Sequence, residues 1–237
     1  MRVVRARGEG AFAEAALATL AGALRARAGL ALTLPTGGTP RGLYRALRAA
    51  HARGEASLDA ARVFMLDEYL DLPTYPVGSF RAYLEEHLGE VVFNGATRFE
   101  ALAPSGDPAR LAAYDRALDE AGGLDLAVVG VGRNGHVGFN EPGSPAEART
   151  RVVELSEDTL EANFPGVAPE GRPRRAVTMG LYDLARARAV LMLVAGEGKA
   201  GVARRLLDER GVDPALPATH LLAHRDLTIV VEASLLA

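Results

Sequence analysis

Gly130 to Ser144, GVGRNGHVGFNEPGS, gathers a histidine, a carboxylate and several glycines directly behind an apolar run, Leu124 to Val131 (LDLAVVGV). That composition suits chemistry better than packing. The apolar run reads as a short buried strand, and a glycine-rich turn after a strand lies where open α/β sheets place their ligands, outside the carboxyl ends of the strands. His136 and Glu141 stand five positions apart around Gly138. In a folded-back loop the carboxylate can orient one ring nitrogen while the other faces a substrate. No serine or cysteine sits in a nucleophile-elbow context and no second histidine stands at metal-ligand spacing, so no metal site is expected.

Two further clusters could act with this loop. The apolar run Val63 to Leu66 ends in Asp67-Glu68-Tyr69, which puts two carboxylates at the carboxyl end of a buried strand. Partial desolvation there would raise a carboxyl pKa and strengthen it as a proton acceptor; capping a helix is an equally good role for one of the pair. After the strand ending at Leu34 comes Pro35-Thr36-Gly37-Gly38-Thr39-Pro40. Its glycines allow close backbone approach, its threonine hydroxyls can donate, and the N–H groups at the start of the following helix carry the positive end of the macrodipole, so the turn can cradle an anion. It is neither GxGxxG nor a Walker sequence, and a nucleotide is not implied. Lys199 is the only lysine among 27 basic residues. Where arginine serves for diffuse charge, a surviving lysine suggests a compact ammonium, for example a point charge on phosphate.

The elements that must position these residues alternate. Strand-like runs cover Arg2 to Val4, Ala31 to Leu34, Val63 to Leu66, Leu124 to Val131, Val190 to Val194 and Leu227 to Val231. Helical patterns fill the gaps at Ala11 to Ala28, Pro40 to Ala52 with proline in the first turn, Ser79 to Leu88 with serine as N-cap, Pro108 to Ala121, and Lys199 to Leu207. The alternation predicts an α/β fold with a single open, mainly parallel twisted sheet, right-handed crossovers and helices on both faces. Residues 1–237 read as one domain, without repeats or a linker.

Composition excludes several classes. A net charge of -3 offers no bulk attraction to nucleic acid or an anionic membrane, so neither is an expected partner. Absence of cysteine removes disulfides, thiolate nucleophiles and zinc-thiolate sites. MRVVRARGEG lacks an apolar signal core and the apolar runs are strand-length, so a cytoplasmic protein is expected. His51, His87, His220 and His224 lie in or near helical stretches and read as structural, His220 least clearly.

LPTGGTP at 34 to 40, LDEYLDLP at 66 to 73, GVGRNGHVGFNEPGS at 130 to 144 and GEGK at 196 to 199 together resemble the glucosamine-6-phosphate deaminase family, in its order and spacing over most of the chain. The related 6-phosphogluconolactonases share the fold and a glycine-histidine loop but typically lack FNEP and the DEY form. The resemblance implies a Rossmann-like fold of the deaminase/lactonase type and conversion of glucosamine 6-phosphate and water to fructose 6-phosphate and ammonia, without cofactor. It assigns Asp67 as the base at C2, His136 as the ring-opening group with Glu141 as its orienting partner, and Gly37, Gly38, Thr39 and Lys199 to the phosphate. Thr36, Glu68 and Gly135, which flank these positions, complete the expected substrate-contacting set.

The chain also departs from the family pattern. Asn134 stands where an aspartate is usual, replacing a carboxylate of an Asp-His-Glu relay by an amide that cannot accept a proton. On the resemblance alone, restoring aspartate is expected to raise activity. Phe164 and Pro165 follow Ala162-Asn163 where an arginine often grips the phosphate, leaving Lys199 and the turn, or Arg172, Arg174 or Arg175, to do so. Val152 follows Arg149-Thr150-Arg151 in place of the lysine of allosteric members, and the chain ends soon after its last strand, without the long tail of hexameric ones, so allosteric activation is not expected. Two other readings are lactone hydrolysis, with His136 activating water, and a non-catalytic sugar-phosphate sensor.

Overall fold

The computed structural model describes residues 1–27, 29–74, 76–209 and 211–237. In chain order the strands and helices are β1 (Arg2–Ala6), α1 (Gly8–Ala26), β2 (Ala31–Leu34), α2 (Arg41–Ala52), β3 (Arg62–Met65), β4 (Asp67–Tyr69), α3 (Phe80–Leu88), β5 (Arg98–Glu100), α4 (Pro108–Glu120), β6 (Leu126–Gly130), β7 (Arg151–Glu154), α5 (Glu157–Asn163), β8 (Arg175–Thr178), α6 (Leu181–Ala185), β9 (Ala189–Val194), α7 (Ala200–Asp208) and β10 (Leu227–Glu232). Seven strands form a parallel sheet in the order β1-β10-β9-β6-β2-β3-β5.

The central strands read as continuous apolar runs because helices cover both sides of them. Every residue of β2 is buried, as are all but one of β3, β6, β9 and β10. From β2 the chain steps outward to β3 and β5, then returns to β6 on the other flank of β2 and continues to β9 and β10. Right-handed crossovers place α1, α2 and α3 on one face and α4 and α7 on the other; α1 packs on α2 and α2 on α3 accordingly. The reversal between β2 and β6 is the switch point at which doubly wound sheets open a crevice.

The expected single sheet has a companion. β4, β8 and β7 form a separate antiparallel ribbon, with Asp67 opposite Thr178 and Tyr69 opposite Ala176. The reading of Asp67-Glu68-Tyr69 as the trailing end of a strand therefore changes: the chain leaves the main sheet at Leu66, and the next three residues are a strand of the second. β5 and β7 have no buried residue and β8 offers only Ala176 and Val177 as an apolar pair, so these short strands lack the apolar run by which the equally short β2 and β3 are read. Boundaries shift by a few residues elsewhere. Pro40 is the residue before α2 rather than within it, Lys199 sits just before α7, and the expected helix end Ala28 lies outside the described residues. Among the described residues no helix is long and apolar enough to cross a membrane.

Candidate active site

Four adjacent strands deliver the four motifs to one place. The carboxyl ends of β9, β6, β2 and β3 lead into Gly196 to Lys199, the 130–144 loop, the Thr36 to Thr39 turn and Asp67, and these segments line a cavity of about 1060 Å³. Residues of α5 (Thr159, Glu161, Ala162, Asn163) close another wall.

The pair Asp67-Glu68 divides into two roles. The Glu68 side chain turns inward, 1 % exposed, and accepts hydrogen bonds from the backbone N–H of Tyr69 (2.8 Å), Phe80 (3.0 Å) and Arg81 (3.0 Å), while the Ser79 hydroxyl accepts from Ala82 (3.1 Å). Those of Phe80, Arg81 and Ala82 are the orphan donors that open α3, and a carboxylate there also suits the helix dipole. Glu68 thus serves the helix and is absent from the cavity wall. Asp67 is different. It is 6 % exposed, lines the cavity, and accepts no hydrogen bond among the described residues. Burial, with a smaller contribution from the Glu68 charge, pushes its carboxyl well above the usual carboxylate range. A buried carboxylate without donors is a poor structural element and a strengthened base.

Gly132 lets the histidine loop close, since a Cβ there would fall 2.1 Å from the His136 ring, and its N–H donates to the His136 carbonyl at 2.9 Å. Asn140 staples the loop from beneath: fully buried, it donates to the Val137 (2.9 Å) and Met179 (2.8 Å) carbonyls and accepts from Arg151 (2.8 Å). Gly138 carries the backbone past Asp67, where a Cβ would lie 3.4 Å from Oδ2. Gly135, expected to touch substrate, is buried against Leu216 and does not line the cavity.

His136 stands in the wall with Nδ1 3.5 Å from Glu141 Oε1, too long and too poorly aligned for a hydrogen bond, so Nδ1 is buried without a partner. Burial holds the imidazole below its ordinary pKa; Glu141 opposes that shift and Lys199 adds to it. Glu141 is itself held from two sides. Thr159 donates to Oε1 (2.6 Å) and Asn134 Nδ2 donates to Oε2 (2.6 Å), while Asn134 Oδ1 accepts from the His136 N–H (3.2 Å). Only one orientation of the amide satisfies both partners. Thr159, whose hydroxyl also accepts from Ser156 (3.0 Å), is a contributor that the sequence reading missed. The Ser156-to-Thr159 capping spacing ahead of α5 was its signal.

In the same cavity wall, Lys199 Nζ donates to Thr39 Oγ1 (2.8 Å), which donates to the Ala195 carbonyl (3.2 Å). Burial, then the Arg133 charge, pull Lys199 down to about 8. Two tyrosines fix the turn: Tyr44 donates to the Pro35 carbonyl and Tyr83 to the Gly37 carbonyl (2.6 Å). The N–H groups of Gly37, Gly38 and Thr39 have no partner among the described residues. Unpaired N–H groups beside a desolvated ammonium suit an anion.

The remaining candidates fall outside. Arg172 donates to the Val167 carbonyl and Arg175 pairs with Asp71 (2.8 Å); neither they nor Arg174 line the cavity, and nor do His51, His87, His220 and His224. Phe164 packs on Tyr69 (ring centroids 5.2 Å apart) in an aromatic cluster with Phe80 and Phe139. Phe80 and Phe139 also reach the cavity wall, beside Asp67.

Known proteins share this architecture. A glucosamine-6-phosphate deaminase of Bacillus velezensis is 35% identical over 98% of this chain and 97% of its own length, and one of Rhodopirellula baltica is 40% identical over 88% and 84%. A solved structure of a monomeric glucosamine-6-phosphate deaminase superposes with a TM-score of 0.88 at 30% identity, covering 99% of this chain and 98% of that one. The 6-phosphogluconolactonase of Trypanosoma brucei, at 19% identity and a TM-score of 0.72 over 100% of this chain and 98% of its own, shares the fold. The model of the family of glucosamine-6-phosphate isomerases and 6-phosphogluconolactonases matches residues 7–230. With the motif order, the crevice at the β2/β6 reversal and these similarities all in agreement, the chain belongs to that family.

Proposed function

We propose that the protein deaminates glucosamine 6-phosphate, yielding fructose 6-phosphate and ammonia. The observation that carries this reading is the placement of Asp67: a buried carboxylate without hydrogen-bond donors among the described residues, in the same cavity as His136, Lys199 and the unpaired N–H groups of the Gly37 to Thr39 turn. Lactone hydrolysis has no carbon acid to deprotonate, and a single base to activate water suffices for it, so it does not call for both His136 and Asp67.

In this reading the phosphate lies on the Gly37 to Thr39 N–H groups and Lys199, which holds the flexible open-chain sugar across the cavity. His136, positioned by Glu141, takes the proton of the C1 hydroxyl and returns it to the ring oxygen as the C1–ring oxygen bond breaks, giving the open aldehyde. Asp67 then removes the C2 proton. The electron pair forms the C1–C2 enolamine, and the C1 oxygen takes up a proton. Protonation at C1 gives a C2 iminium, and water adds there and expels ammonia, leaving the ketose. The Phe80 and Phe139 rings beside Asp67 limit water around the base and keep its proton affinity high.

A paired assay tests the proposal. Purified protein should release ammonia and fructose 6-phosphate from glucosamine 6-phosphate and exchange the C2 proton with solvent deuterium. No turnover at high enzyme concentration refutes it, and opening of 6-phosphogluconolactone above the spontaneous rate, undiminished in Asp67→Ala, establishes the lactonase reading instead.

A further inference from the structure

The phosphate end of the cavity holds one cation that neither motif assigned. Arg133 and Lys199 are the arginine and lysine side chains in the cavity wall. The Arg133 side chain lies over Gly198, the residue before Lys199: a Cβ on Gly198 would stand 3.0 Å from Nε and 3.4 Å from Cζ. Among the described residues Arg133 has no carboxylate partner and no hydrogen bond. It is exposed, so its guanidinium can turn toward a ligand without giving up a hydrogen bond or an ion pair. Two cations are thus held close together, one of them half-buried, beside unpaired backbone N–H groups and with no ion pair between either and Glu197 or Glu232 of the same wall. Such an arrangement repels itself until an anion with charge to share sits between the two.

We propose that Arg133 is a phosphate-binding residue, closing over the sugar-phosphate dianion beside Lys199 and the Gly37 to Thr39 turn. A planar fork with several donors is suited to two phosphate oxygens at once, while Lys199 supplies a point charge. Arg133 therefore sets selectivity for phosphorylated over unphosphorylated sugar. The proposal rests on the sugar-phosphate reading of the site, though not on the deamination chemistry.

The test uses Arg133→Ala and Arg133→Lys in the full chain, with inorganic phosphate and glucosamine 6-phosphate as probes. Melting temperatures without ligand check that the exposed substitution leaves the fold intact. Arg133→Ala should weaken phosphate and sugar-phosphate binding, measured by calorimetry, by about 10- to 100-fold, as expected for loss of a charged hydrogen-bonded contact. Its KM for glucosamine 6-phosphate should rise by a similar factor while kcat falls less, and Arg133→Lys should lie between. Unchanged affinity for both probes in Arg133→Ala overturns the proposal, as does a wild type that binds neither. Weakened binding in the variant of a protein that never releases ammonia upholds Arg133 and refutes the deaminase reading alone.

Discussion

Asn134→Asp places the family's usual carboxylate back into the histidine loop, and the geometry indicates that it will harm this protein. The amide at 134 is a donor here: its Nδ2 holds Glu141 Oε2 at 2.6 Å while Thr159 holds Oε1 at the same distance. Aspartate has no N–H to give. Two carboxylates about 4 Å apart, at an effective dielectric of about 20 to 40, repel by about 2–4 kcal/mol. Because residue 134 is exposed, the new side chain escapes most of that by rotating into solvent, and the surviving penalty is the lost hydrogen bond to a charged acceptor, about 1.5–3 kcal/mol. The Glu141 position that orients His136 then becomes about 10- to 150-fold less populated. The expected result at pH 7.5 is a kcat/KM for ammonia release lower by tenfold or so, bounded below by unassisted ring opening. Asn134→Ala, which loses the donor without adding charge, should lie between. An Asn134→Asp enzyme as fast as wild type or faster at pH 7.5 would refute the reasoning and show that the loop tolerates the carboxylate relay.

Three further outcomes are expected. Asp67→Asn should abolish C2 proton exchange and raise the melting temperature at neutral pH: the folded carboxyl pKa is raised, so this group's contribution to stability is present below its unfolded pKa and lost as pH rises through the folded one, and each kcal/mol regained amounts to about 2–4 °C. Retained exchange, or a lower melting temperature, would reject the assignment. Lys199 at about 8 loses its charge above that pH, so kcat/KM should fall on an alkaline limb near pH 8; Lys199→Arg should shift that limb upward, which separates it from titration of the substrate, and an unmoved limb would count against the phosphate role. Glu68→Ala should lower stability by about 1–3 kcal/mol, hence the melting temperature by about 2–12 °C, by stranding N–H groups at the start of α3; a KM effect without a change in melting would instead favour a substrate contact.

Legibility from sequence was uneven for physical reasons. The parallel strands were readable because they are buried on both faces, which leaves apolar runs bounded by turn residues. Ser79 was readable because its capping hydroxyl acts three residues away. The antiparallel ribbon was not, because β4, β7 and β8 are short and pair over distances of up to 111 residues, as between Asp67 and Thr178. The same limit applied to the carboxylate pair. Asp67 and Glu68 are adjacent and chemically alike, and which of them caps a helix and which faces the cavity depends on the β4 pleat pointing successive side chains to opposite sides.

Residue types and order alone determined the α/β layering, and they singled out the Thr36 to Thr39 turn as a candidate anion cradle and Asp67, His136 and Glu141 as candidate proton carriers. Those properties are local, resting on burial periodicity, turn chemistry and functional groups. Tertiary structure decided the pairings: Glu68 to the α3 backbone, Gly135 to Leu216, Thr159 and Asn134 to Glu141, Arg133 to the Lys199 turn. Each joins groups delivered by different loops. Their distances are set by the order of strands in the sheet and by the side to which each side chain points, neither of which a linear spacing encodes.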